Sequence, residues 1–146
     1  MNLIVKTLGF APGEHFRTSS THEFPEFIAT SAFFISREEI HLTQLVAVER
    51  PVRLTHQGVT IAVREITISL PDSLASANYP VGGESDVSLS IKVDGAISEA
   101  ISGTVTLDPQ LDGKVGGSFN VAVEIRGQED KTFVLKGHFK VKLPVR

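Results

Sequence analysis

A chain of 146 residues has the size of one compact domain, and a content of 41% apolar and 21% charged residues excludes intrinsic disorder and fibrous repeats. A formal net charge of -3, with lysine and arginine mixed among acidic residues, provides no broad positive field for a phosphate backbone, so a nucleic-acid partner is not expected. The absence of cysteine removes disulfides, thiolate metal sites and thiol nucleophiles, and is compatible with a reducing or an oxidising compartment.

The first ten residues hold one short apolar run interrupted by Lys6. It is too brief for a signal-peptide core and far shorter than a membrane span, so the sequence predicts a cytoplasmic protein without a membrane span; export by a signal removed before numbering, or by a route that needs no cleaved leader, is also compatible. From there on, valine, isoleucine and threonine are abundant and apolar residues recur at every second position in most segments. That period predicts strands and a single all-β domain over residues 1–146.

Seven to nine strands are read, over residues 2–8, 27–35, 40–54 with a break at Pro51, 59–70, 86–93, 101–107, 115–126 and 131–143. Ser36 and Glu39 have capping-box spacing, which sets a helix over 36–45 against the strand favoured by the even parity of Ile40, Leu42, Val46, Val48, Val52 and Leu54. In 59–70 the apolar phase changes from odd at Val59, Ile61 and Val63 to even at Ile66, Ile68 and Leu70. A β-bulge near Arg64 and Glu65 would restore one buried face. Residues 71–78 are read as a single helical turn in a crossover. The segments 9–25, 71–85 and 108–114 are read as loops, the first two longer than usual connections.

Near the C-terminus the pattern sharpens. Phe119, Val121, Val123 and Ile125 share one phase, as do Phe133, Leu135, Phe139, Val141 and Leu143, so the two segments form a hairpin around Gly127, Gln128 and Glu129. Both inward sets are odd-numbered, which requires an odd loop. A three-residue loop pairs Phe119 with Gly137 and Gly117 with Phe139, placing each glycine under a ring; a five-residue loop pairs Phe119 with Phe139. The first register is favoured. Asp94-Gly95 and Asp112-Gly113 are hairpin-turn sequences. This C-terminal third resembles that of many bacterial β-sheet proteins, a resemblance that specifies no ligand or reaction. The expected architecture is an antiparallel β-sandwich, with a closed or partly closed β-barrel as the alternative.

Chemistry-bearing residues are sparse. His15, His22, Glu23 and Glu26, with Glu14, gather in the segment 14–26, and imidazole plus carboxylate is a donor set that zinc and similar ions accept. Their spacing matches no metal motif, and a polar loop with Phe16, Phe24 and Phe27 tucked into the sheet is the competing reading. Glu39 and His41 would share a strand face, where a carboxylate could orient an imidazole. No nucleophile elbow or phosphate loop accompanies them. Asp108, Asp112 and Gly113 resemble pieces of a calcium loop but lack its remaining ligands, and read as a turn. His56 and Gln57 before Gly58 also read as a turn.

Lys136, His138, Lys140 and Lys142 form a basic stripe suited to an acidic partner or a phospholipid headgroup, or else one that guards a sheet edge. Gly103, Gly117 and Gly137 take inward phase, and either let the sheet bend or leave a groove for an apolar ligand. The sequence therefore predicts a non-enzymatic binding or assembly module that presents its loops or a sheet edge to another protein and carries no cofactor. A small barrel carrying an apolar ligand is the alternative, and a metal-dependent enzyme using His15 and His22 the third reading. Homo-oligomerisation is compatible, but no segment demands it.

Overall fold

Alternation of inward and outward side chains carries the fold in the computed structural model, which describes residues 10–50, 52–55, 58–61, 63–128 and 130–143. The expected strand at 2–8, the break at Pro51 and the turn residues His56 and Gln57 lie outside the described residues. Eleven strands are described: β1 (His15–Thr18), β2 (Ser31–Arg37), β3 (Leu42–Glu49), β4 (Val52–Thr55), β5 (Gly58–Ile61), β6 (Arg64–Pro71), β7 (Ala77–Pro80), β8 (Ser88–Val93), β9 (Ala96–Leu107), β10 (Lys114–Glu124) and β11 (Thr132–Lys142).

All pairings are antiparallel. The main sheet runs β1-β11-β10-β9-β8-β6-β3-β2, with β7 beside β9, while β4 and β5 form a separate hairpin. The long β9 turns the corner of the sandwich: residues 96–99 pair with β8, and residues 104–107 pair with β7. One extra residue, Ile101, makes this bend. Ser102 pairs with Ala122 but Ala100 pairs with Val123, so the inward phase switches there and Ile101 is left exposed.

The opposite corner closes through segment 27–30. Thr18 N–H donates to Phe27 C=O at 2.9 Å, Ala29 N–H to Phe16 C=O at 3.0 Å, and Thr30 N–H to Val48 C=O at 2.7 Å. Arg17 and Ile28 form the bridge between β1 and this segment. The two faces of the sandwich are therefore joined at both corners, and the sheet approaches a closed barrel.

The centre is filled by aromatic rings. Phe16 stacks on Phe139 with centroids 5.5 Å apart and lies 5.8 Å from Phe119 and 5.9 Å from Phe27. The β10–β11 register pairs Phe119 with Gly137 and Gly117 with Phe139, as the three-residue reading requires. A Cβ on Gly137 would come within 2.8 Å of Phe119 Cε2, and one on Gly117 within 2.9 Å of Phe139 Cζ. Each ring occupies the volume its partner glycine lacks, so Gly117 and Gly137 leave no inward groove for an apolar ligand. Gly103 is exposed beside the β9 bulge, at φ 121°.

Several local expectations are corrected. Segment 9–25 contains β1, and segment 71–78 runs into β7 instead of forming a helical turn. The phase change at 59–70 is a passage between two strands, since β5 pairs with β4 whereas β6 pairs with β3 and β8. The helical alternative at 36–45 is reduced to a 3-10 turn at Glu38–Ile40, ended by His41 at φ 57°. The two Asp-Gly turns do form, with φ 48° and 86° at Asp94 and Gly95, and 54° and 72° at Asp112 and Gly113. Among the described residues, no helix is long and apolar enough to cross a membrane.

Candidate functional site

Two surface features stand out, one at an end of the barrel and one on its side. At the end, inward positions of β8, β10 and β11 run out of facing side chains. Ile91, Val93, Ile125 and Phe133, with Phe24 and Ala96, line an open depression of about 300 Å³ whose rim includes Glu23, Glu124 and Arg126. It continues past Ser98 into a groove of about 540 Å³ along Ile97, Glu99, Gly127 and Gln128. Val93 and Ile97 are 36% and 54% exposed, so apolar surface faces solvent there. Three carboxylates against one guanidinium make the rim acidic.

An ion pair between buried Glu49 and half-buried Arg64 holds one wall of this mouth. Glu49 accepts from Arg64 Nε at 2.8 Å and from the backbone N–H of Ile28 at 2.8 Å. Arg64 also donates to the carbonyls of Pro25 and Glu26, both at 2.8 Å, and its guanidinium lies 4.5 Å from the centre of the Phe24 ring. The pair thus ties segment 24–28, which carries Phe24 and Phe27, to β3 and β6.

The second feature is on the outer face of β1, β10 and β11. The register sets His15 opposite Lys140 and Arg17 opposite His138, so the two histidines are diagonal neighbours on adjacent strands. His15 Nε2 lies 2.7 Å from His138 Nδ1, with one ring edge-on to the other. Burial pushes the His15 imidazole below its ordinary range, and His138, Arg17 and Lys140 push it the same way.

The residues predicted from sequence are therefore divided between these places. Glu23 sits on the mouth rim, His22 is exposed in the turn before Phe24, and Glu26 pairs with Arg17 at 3.5 Å. The structure does not bring His15, His22, Glu23 and Glu26 together, and among the described residues no three His, Asp or Glu side chains gather as a metal site. His15 instead meets His138 from the basic stripe. Lys136, His138 and Lys142 are exposed and Lys140 is half-buried, all on the outer face. β1 covers the second side of their strand at residues 137–140, so His138 and Lys140 do not stand at an open edge.

Glu39 and His41 do not share a strand face, because both belong to the 3-10 turn and its end. Sequence reasoning missed the mouth residues Ile91, Val93, Ile125 and Phe133 as a site, since the same alternation marks them as core. Val93 just before Asp94-Gly95, and Ile125 just before the β10–β11 turn, were the available signal: inward residues at hairpin ends with little above them. In comparisons with known proteins, no family model, no curated protein and no solved structure matches the chain.

Proposed function

We propose that the protein is a non-catalytic binding module whose barrel mouth receives an apolar side chain of a partner protein. The carrying observation is the contrast between a filled centre and an open end. The space that an enclosed apolar ligand would need beside Gly117 and Gly137 is taken by Phe119 and Phe139. The mouth, by contrast, is shallow, apolar at its floor and open to solvent, which suits an anchor residue presented by another chain. Glu23, Glu99 and Glu124 around it favour a partner segment with basic residues flanking the anchor.

A photo-cross-linking amino acid at position 93, compared with one at position 134 on the outer face, tests this in extracts of cells that express the protein. The expected result is a discrete protein adduct from position 93, competed by Val93→Lys protein no better than by buffer and by unmodified protein fully. Equal adducts from both positions would contradict the mouth as the binding surface. A lipophilic mass retained in native mass spectrometry, in place of a protein adduct, would favour the carrier reading instead.

A further inference from the structure

The outer face of β1, β10 and β11 concentrates positive charge on a chain whose net charge is negative. His15 and Arg17 come from β1, Lys114 from β10, and Lys136, His138, Lys140 and Lys142 from β11. Arg17 is paired with Glu26, but Lys114, Lys136, Lys140 and Lys142 make no ion pair among the described residues. Cations crowded on one face without counter-charges raise the local potential and attract anions.

At the centre of this face the sheet has a gap. Gly116 stands opposite Lys140 and takes outward phase without a side chain of its own, so the side-chain atoms nearest the space above it are Asp108 Oδ2 and Lys140 Cγ, 3.7 and 3.9 Å from where a Cβ would be. Lys114, His138, Lys140 and His15 surround it, and the loop residues Asp108, Pro109 and Leu111 wall it, giving a groove of about 390 Å³. Lys114 and Lys140 are the cations of its lining, beside the imidazoles of His15 and His138. Asp108 is the one carboxylate lining it.

We propose that this groove is an oxyanion site of the phosphate type, in which Lys140, Lys114 and the His15–His138 pair hold the anion. One proton lies between the two facing ring nitrogens, and a further proton taken up at an outer ring nitrogen leaves that contact in place and gives the pair a positive charge. An anion in the groove stabilises that charge. Binding therefore takes up a proton and strengthens as pH falls. The charged groups facing the pair are Arg17 from β1, Lys140 from β11, Lys114 from β10 and Asp108 from the loop; all but Asp108 oppose the further proton until the anion arrives.

The test is an NMR titration of the full chain with sodium sulfate, whose charge is constant between pH 5.5 and 8, at matched ionic strength in sodium chloride. Saturable shifts are expected at His15, Gly116, His138 and Lys140. The affinity should rise on acidification by up to about tenfold per pH unit through the imidazole range, the limit for uptake of one proton. The double variant His15→Asn, His138→Gln should remove this pH dependence, and Lys140→Gln should weaken binding at every pH, whereas Lys131→Gln, on an exposed loop, should change neither. Shifts that sodium chloride reproduces, or equal losses in Lys131→Gln, would overturn the site.

Inorganic phosphate and vesicles of phosphatidylcholine with phosphatidic acid then separate the sources. Saturable phosphate binding without vesicle co-sedimentation supports a soluble phosphomonoester. Binding of both, weakened together by Lys140→Gln, supports a lipid headgroup. Vesicle binding without saturable sulfate or phosphate binding would show a diffuse basic surface and overturn the site.

Discussion

The β10–β11 hairpin and the closing segment 15–30 meet along the same strand, yet they are held by different forces. The hairpin joins neighbours in sequence, and its register follows from parity and from two glycine–phenylalanine pairs. The closing segment joins strands far apart in the chain, with four residues in β1 and a few backbone bonds. Its cohesion comes from the Phe16, Phe24 and Phe27 rings and from Glu49 and Arg64. Local pattern is thus sufficient for the hairpin, while the closing corner depends on side chains that arrive from β3 and β6.

The sharpest way to break this contrast is at the ion pair. Arg64→Met leaves Glu49 buried without its cation and strips two backbone carbonyls of a donor, and should destabilise by about 3 kcal/mol, the lower end for breaking such a pair. Urea unfolding measures this, and hydrogen exchange should show the loss beginning at residues 24–30. The double variant Glu49→Gln, Arg64→Met should recover part of the loss, because no unpaired charge remains. Equal loss in the single and double variants would mean that the contact acts by packing alone.

Gly137→Val tests the hairpin. Its side chain would enter the space of the Phe119 ring, and about 2 kcal/mol should be lost, as for overpacking elsewhere. Combining it with Phe119→Leu should relieve part of that cost, and additive losses would contradict the paired-volume account. Val93→Lys at the mouth should change stability by less than about 0.5 kcal/mol, since the site is 36% exposed, while losing the ability to compete for the partner.

The smallest expected effect is that of pH. The fold lowers the His15 pKa, so the unfolded chain takes up this proton first as pH falls. The contribution of His15 to stability is full above about pH 6.5 and declines below it until the folded state also protonates. In sulfate- and phosphate-free buffer, His15→Asn should flatten that part of the stability profile. A slope unchanged in the variant would assign it to other groups.

The same contrast explains what was legible in the sequence. Phe119, Gly137 and their neighbours announce both strand and register, because alternation over eleven residues and a parity rule act locally. Asp94-Gly95 and Asp112-Gly113 announce their turns for the same reason. The burial of Phe16, Phe24 and Phe27 was readable from their chemistry, but β1 was not. Four residues among glycine, proline and polar side chains show no period, and only the long-range edge of β11 makes them a strand. β7 was hidden in the same way behind Pro71 and Asp72.

The Ile101 bulge escaped because an exposed isoleucine in a strand carries the same pattern as a buried one. Of the candidate sites, the basic stripe was visible on β11, whereas the meeting of His15 with His138 required the unseen β1. The mouth was visible as residues but not as a surface, since sequence alternation gives the direction of a side chain and not what lies above it.

Whether the mouth is the binding surface is tested by methyl-detected NMR of the isoleucine- and valine-labelled chain, titrated with a short synthetic peptide carrying one leucine between lysines. Saturable shifts are expected at Ile91, Val93, Ile97 and Ile125, absent in Val93→Lys, with Val105, Val115 and Val121 in the filled centre unmoved. Shifts at the central valines, or none at the mouth at millimolar peptide, would contradict it.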